Sequence, residues 1–299
     1  MGKIAFVFAG QGSQTVGMGK DLYERFSCAK KVFDISYDIR DLCFNGPKEQ
    51  LDITINTQPA VFLTDLACAA VLSEQGIKAD AAAGFSLGEI PAACYAGLMN
   101  LSQAYAFVQH RAKAMHRCAL KSSGCMFAVL KLSAEQTEKI CALIPGVYPV
   151  NYNSPEQTVV ACSEGAAEGL QKAVSESGGK SIKLAASGAF HSVYMDEASE
   201  SVAAYLNKET LGVTHIPLYS NVTAGKYGPS KELLSKQVNH PVMWQKTVEN
   251  MVGDGFDTFI EVGPGKTLTG LIRKINPDVL TYNVSDVQSL EKTTEELKR

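Results

Sequence analysis

A five-residue run, Gly84-Phe85-Ser86-Leu87-Gly88, constrains this chain more than any other feature of its sequence. It stands between a short apolar run, Ala79 to Phe85, and a helical segment that reaches Gly97. A strand that turns sharply into a helix lifts the serine hydroxyl clear of the sheet. It also aims the following N–H, that of Leu87, at the same space. Flanking glycines let neighbouring backbone crowd such a turn. The five residues alone are a common chance match, and the strand before and helix after give them meaning.

The rest of the chain agrees with this geometry. Lys3 to Ala9 reads as a strand, followed by the glycine-rich loop Gly10-Gln11-Gly12-Ser13-Gln14. Gln58 to Glu74 reads as an apolar helix with Pro59 in its first turn, and Leu101 to Cys118 as another capped by Asn100 or Ser102. Alternating strand and helix predicts a largely parallel sheet covered on both faces. The rhythm then changes. Cys125–Leu132, Val147–Asn153, Thr158–Cys162 and Lys180–Ala186 read as strands, with helices at Ser133–Leu143 and Glu164–Glu176. Strand, helix, strand, strand, helix, strand is the split ferredoxin-like order. The fold class is therefore a large α/β-hydrolase-like domain, residues 1–122 and 188–299, carrying a ferredoxin-like insert over 123–187. The large domain resumes with strands at Pro217–Ser220 and Thr258–Val262 and a helix at Thr267–Ile275, and the charged last fifteen or so residues are expected to fray.

Bulk properties narrow the function. A net charge of −3 argues against a nucleic-acid surface, and no run of about 18 uncharged apolar residues predicts a membrane span. The 8 cysteines contain no C-x-x-C pair, so neither a zinc site nor a disulfide framework is expected. The apolar start stops at Gly10 without a cleavage site, which makes the cytoplasm the default location. Gly263-Pro264-Gly265-Lys266-Thr267 imitates the end of a phosphate loop but has Ile260 where the first glycine belongs. Gly10-x-Gly12 has Thr15 in place of the third glycine of a dinucleotide fingerprint.

A nucleophilic serine needs a base. Of 5 histidines, His191 is the candidate, because it lies in the small-residue loop Ser187-Gly188-Ala189-Phe190-His191-Ser192 between the two domains. No aspartate lies between Ser86 and His191, and no glutamate there has a natural route to the histidine. A Ser–His dyad oriented by a backbone carbonyl is expected instead of a triad. Arg111 shares an apolar stripe with Phe107 and Met115 on its helix. A buried guanidinium must be paired. Its partner is either a core carboxylate or, since this helix follows the elbow helix, the free carboxylate of a substrate.

Taken together, these residues make the chain similar to the malonyl-CoA:acyl-carrier-protein transacylases over essentially its whole length. Phe8 to Gln14 resembles the family's F-x-G-Q-G-S-Q loop, Gly84 to Glu89 its G-x-S-L-G-E elbow, and Gln109-His110-Arg111 with Met115 its arginine helix. Asn153-Ser154-Pro155, Ala189 to Ser192 and Glu261 to Gly265 fit the remaining signatures. The resemblance implies that Ser86 carries the acyl group, that His191 serves as base and then acid, and that the N–H groups of Gln11 and Leu87 form the oxyanion hole. It implies that Arg111 grips the malonyl carboxylate, that Phe190 favours malonyl over branched units, and that Gln58 and Asn153 sit near the cleft. Malonyl-CoA and an acyl carrier protein are the implied substrates, with no cofactor. A trans-acting polyketide acyltransferase, a hydrolase using water on the same elbow, and an idle docking partner are the alternatives. Two departures stand out. Phe85 occupies a position that is often histidine, and Pro241-Val242-Met243-Trp244 lacks a glutamine that many members carry there. Lys113, Arg117, Lys121, Lys180 and Lys183 flank the expected cleft, where they either form an ordinary solvated face or attract an acidic carrier.

Overall fold

A computed structural model describes residues 2–186 and 188–298. Ser187, the last residue of the expected insert and the first of the histidine loop, lies outside the described residues. The strands are β1 (Lys3–Phe8), β2 (Ala81–Gly84), β3 (Gly124–Leu130), β4 (Val147–Ser154), β5 (Gln157–Ser163), β6 (Lys180–Lys183), β7 (Leu218–Tyr219), β8 (Lys226–Tyr227), β9 (Phe256–Val262) and β10 (Leu280–Val284). Four short helices follow β1: α1 (Lys20–Arg25), α2 (Ser27–Phe33), α3 (Tyr37–Asn45) and α4 (Lys48–Leu51). The helices α5 (Thr54–Glu74), α6 (Glu89–Tyr95), α7 (Leu101–Lys121), α8 (Ala134–Leu143) and α9 (Ala167–Glu176) come next. The series closes with α10 (Asp196–Leu206), α11 (Lys231–Lys236), α12 (Trp244–Gly253), α13 (Thr267–Ile275) and α14 (Val287–Leu297).

The larger sheet has the order β10-β9-β1-β2-β7-β8, with β10 through β7 parallel and β8 returning antiparallel. Alternation along its central strands sets the layers. Phe6, Phe8 and Ala82 point into the core that contains α5, α6 and α7. Ala5, Val7, Ala81 and Ala83 pack on the opposite face against Trp244, Val248, Leu268 and Ile272. The smaller sheet is antiparallel, in the order β4-β5-β3-β6. Its Phe127, Val129 and Val160 pack with Ile140 and Leu170 from α8 and α9, while Met126, Ala128 and Ala161 join the core of the large unit. This is the large α/β unit with a parallel sheet and the small ferredoxin-like unit that the strand and helix order predicts.

Two local expectations need correction. Helix α5 starts at Thr54, so Pro59 sits inside it rather than in its first turn. Its ring removes only the N–H that would have reached the Ile55 carbonyl, and burial of the helix on nearly all sides outweighs that loss. By length and composition α5 would cross a membrane, but its apolar window is 83% buried within the fold and forms the core. The carboxyl-terminal segment does not fray. Asp286 and Ser289 cap α14 reciprocally, and Leu290, Thr293, Thr294 and Leu297 bury one face of it.

Candidate active site

The elbow is held by close backbone approach. Strand β2 runs beside β1 with Gly84 opposite Phe8, and a single tight helical turn from Ser86 to Gly88 leads into α6. A Cβ on Gly84 would fall 1.9 Å from the carbonyl carbon of Gly88, and one on Gly88 would fall 2.1 Å from the Phe8 oxygen. Only glycine fits at either position. Ser86 itself takes φ 53°, in the left-handed region, at a cost on the order of 1–3 kcal/mol. Two distant side chains hold it there: the Ser86 N–H donates to Asn221 Oδ1 at 2.7 Å, and Gln237 Nε2 donates to the Ser86 carbonyl. Leu87, the second residue of the turn, is buried and lies where an N–H has no partner from a preceding turn.

His191 meets the serine from the other side. Its Nε2 lies 2.6 Å from Ser86 Oγ, and its Nδ1 lies 2.8 Å from the Gln237 carbonyl. A carbonyl only accepts, so Nδ1 carries the proton and Nε2 is free to accept from the serine hydroxyl. The orienting group is therefore a backbone carbonyl, as the absence of an acid predicts. It belongs to Gln237, ahead of the segment Pro241–Trp244 where the missing glutamine was sought. The glutamine that serves the site stands at 237, and the Met243 side chain takes no part in the dyad's hydrogen bonds. Burial first, and then the Arg111 charge, push the imidazole down to about 3 against the opposing pull of backbone carbonyls, so His191 is neutral at physiological pH.

Arg111 reaches the same point from α7 and is 1% exposed. Its Nη1 donates to Gln58 Oε1 at 2.6 Å and its Nη2 to Gln237 Oε1 at 2.8 Å, with Ser86 Oγ at 3.5 Å. Both close partners are neutral amides. Nε has no hydrogen-bond partner, and among the described residues no carboxylate forms a salt bridge with this guanidinium. Burial lowers its pKa to about 10, which leaves it charged at neutral pH. The buried Glu89 acts on this cation only through space, beyond hydrogen-bond reach, so a guanidinium beside a nucleophile-type hydroxyl is left with donors to offer an incoming anion.

Of the other expected residues, Gln58 is the amide that orients Arg111, and its Nε2 in turn contacts Met115 Sδ at 3.5 Å. Gln11 anchors its loop through Nε2 to Thr54 Oγ1 at 3.1 Å. The neighbouring Gly10 packs so closely that a Cβ there would fall 2.6 Å from the Phe85 oxygen, which brings this loop against the elbow. Phe190 is buried next to His191. Asn153, at the end of β4, is buried with Oδ1 unpartnered, and no hydrogen bond ties it to Ser86, His191 or Arg111. Phe85 turns away to meet Trp244 edge-on, with ring centroids 5.6 Å apart. Sequence reasoning missed Gln237 and Asn221. The first sits in an unremarkable polar stretch, and no motif read from the sequence covers the second.

Glu89 adds a titratable group one helical turn beyond Ser86. It is fully buried, its Oε2 accepts the Asn221 backbone N–H at 3.2 Å, and burial pushes its carboxyl from 4.5 up to about 7. A raised carboxyl favours folding below the unfolded value of 4.5, and that contribution is lost as pH rises through about 7. The lowered His191 works in the other direction: its contribution is full above 6.5 and is lost as pH falls toward 3. Glu89→Gln should therefore match the parent in denaturant unfolding near pH 4.5 and exceed its stability above pH 7, by roughly 1–3 kcal/mol. Identical unfolding curves at both pH values would show that Glu89 is not held neutral by burial.

A Ser–His pair at the carboxyl end of a parallel strand, facing a turn that presents N–H groups, defines an α/β enzyme that handles acyl groups. Comparison with known proteins is specific. Residues 5–291 match the acyl transferase domain family. The malonyl CoA-acyl carrier protein transacylase of Bacillus subtilis (strain 168) is 36% identical, over 100% of this chain and 98% of its own length. The crystal structure of the Clostridium perfringens malonyl CoA-acyl carrier protein transacylase superposes with a TM-score of 0.95 at 38% identity, covering 99% of this chain and 97% of the other. A malonyl-transacylase solved in complex with its type II PKS acyl-carrier protein superposes with a TM-score of 0.93 at 33% identity, covering 98% and 99%. The chain belongs to the acyltransferase family, among its malonyl CoA-acyl carrier protein transacylases.

Proposed function

We propose that this enzyme moves a malonyl group from malonyl-CoA to the phosphopantetheine thiol of an acyl carrier protein by way of an ester on Ser86. The observation that carries the reading is Arg111, a buried cation held by two neutral glutamines within 3.5 Å of the Ser86 hydroxyl. An esterase acting on neutral acyl groups has no use for it.

In the first half-reaction Ser86 Oγ attacks the thioester carbonyl while His191 Nε2 takes the hydroxyl proton. The N–H groups of Gln11 and Leu87 receive the developing oxyanion. Collapse breaks the C–S bond, and His191 returns the proton to the departing coenzyme A sulfur. In the second half-reaction the carrier's thiol attacks the ester, His191 takes the thiol proton, and collapse returns it to Ser86. Throughout, Arg111 holds the malonyl carboxylate through two parallel hydrogen bonds. Phe190 limits the room beside the acyl chain. Both steps are acyl exchange and need no cofactor. Eight free thiols fit a reducing compartment, and the cytoplasm is the proposed location.

Incubation with malonyl-CoA and a phosphopantetheinylated carrier protein tests the reading. Malonyl-carrier is the expected product. Release of free malonate without carrier loading would make this a hydrolase, and no turnover would make it a scaffold. The cations expected to flank the cleft predict a further dependence. Lys121 and Lys183 are engaged by Glu197 and Glu164, leaving Lys113, Arg117 and Lys180 to attract an acidic carrier. Carrier loading should fall roughly threefold to tenfold between about 0.05 and 0.5 M salt, while transfer to free pantetheine stays flat. A flat response for both acceptors would remove these residues from carrier recognition.

A further inference from the structure

Asn221 follows β7 and is 1% exposed. Its Oδ1 accepts the Ser86 N–H at 2.7 Å, and its Nδ2 donates to the Gly84 carbonyl at 2.6 Å. One amide side chain thus spans the turn, gripping backbone on both sides of Phe85. Asn221 is itself fixed at both ends, because its backbone N–H donates to Glu89 Oε2 at 3.2 Å and its carbonyl accepts from Met243 at 2.8 Å. Ser86 needs such a grip, since an L-residue at φ 53° relaxes unless its surroundings hold it.

We infer that Asn221 is a positioning residue for acyl transfer, holding the Ser86 turn so that Oγ stays in line with His191 and the Leu87 N–H faces the oxyanion. It touches no substrate, and the inference rests on Ser86 being the nucleophile. The chemistry of the clamp explains why it is an amide. One end must accept and the other must donate, which a neutral amide does and a carboxylate does not. An ionised aspartate would set negative charge against the Gly84 carbonyl, whereas a protonated aspartate would again accept at one end and donate at the other. Glu89 faces Asn221 from α6 with the Tyr227 phenol buried near it, and His191 and Arg111 face the serine hydroxyl.

The test compares Asn221→Ala and Asn221→Asp with the parent, measuring the rate of acylation by quenched-flow intact mass with malonyl-CoA and acetyl-CoA. In Asn221→Ala the maximal rate should fall about tenfold to a hundredfold, equally for both acyl groups, with KM within about threefold. Asn221→Asp should recover much of the rate at low pH and lose it as pH rises, along a limb that the parent lacks. A folded Asn221→Ala acylating within about twofold of the parent, or losing only KM, would overturn the inference. If that variant does not fold, Asn221→Asp decides alone, because a pH profile parallel to the parent's overturns the inference. Failure of the nucleophile reading is distinct: the parent itself would then carry no acyl group on Ser86.

Discussion

Ser86→Ala should load no malonyl group, with the rate of acyl transfer falling by a factor on the order of 10⁴ or more. The oxygen removed is the atom that forms the ester, and nothing nearby replaces it. Arg111 and His191 carry only nitrogen toward this point, and Gln237 offers an amide. The substitution should leave the fold intact. Ser86 is held through its backbone N–H and carbonyl, which alanine retains, although alanine tolerates φ 53° no better than serine does. Malonyl-CoA binding should persist, because the guanidinium keeps both glutamine partners. Equilibrium binding with normal affinity and no covalent mass is the expected signature. A malonyl adduct on Ser86→Ala would move the chemistry to another residue.

Arg111→Ala should reduce malonyl loading about tenfold to a hundredfold and spare acetyl loading. The loss corresponds to one charge-assisted pairing, roughly 1.5–3 kcal/mol. Acetyl has no carboxylate and gains nothing from the guanidinium, so the ratio of the two rates isolates the contact. Arg111→Lys should fall between the two. An ammonium keeps the charge but cannot hold Gln58, Gln237 and a carboxylate together through a planar fork. Equal losses for both acyl groups would mean that Arg111 serves only the packing between α5 and α7.

What was readable in the sequence was mostly local. Gly84 to Gly88 announces its own turn, because strand, glycines and helix are contiguous. The small unit could be read from its alternation of strand and helix, and Asn100 and the Ser133–Gln136 box cap the helices they precede. Arg111 was suspect from its apolar stripe alone. The clamps were not readable, because Asn221 and Gln237 reach Ser86 across 135 and 151 residues and neither has a pattern that marks it. Absence of an acid did predict a carbonyl on His191, but only the fold says whose. The carboxyl-terminal helix was misread for a different reason. Its charged residues face outward, and its buried face is made of two leucines and two threonines rather than a continuous apolar stripe.

The most direct measurement is a brief pulse of malonyl-CoA, an acid quench, and peptide mapping of the protein by mass. One malonyl group on the Ser86 hydroxyl, formed much faster than it hydrolyses and discharged by a carrier thiol, is the predicted result. A malonyl group elsewhere, or an unmodified Ser86 in a protein that still loads the carrier, would contradict it.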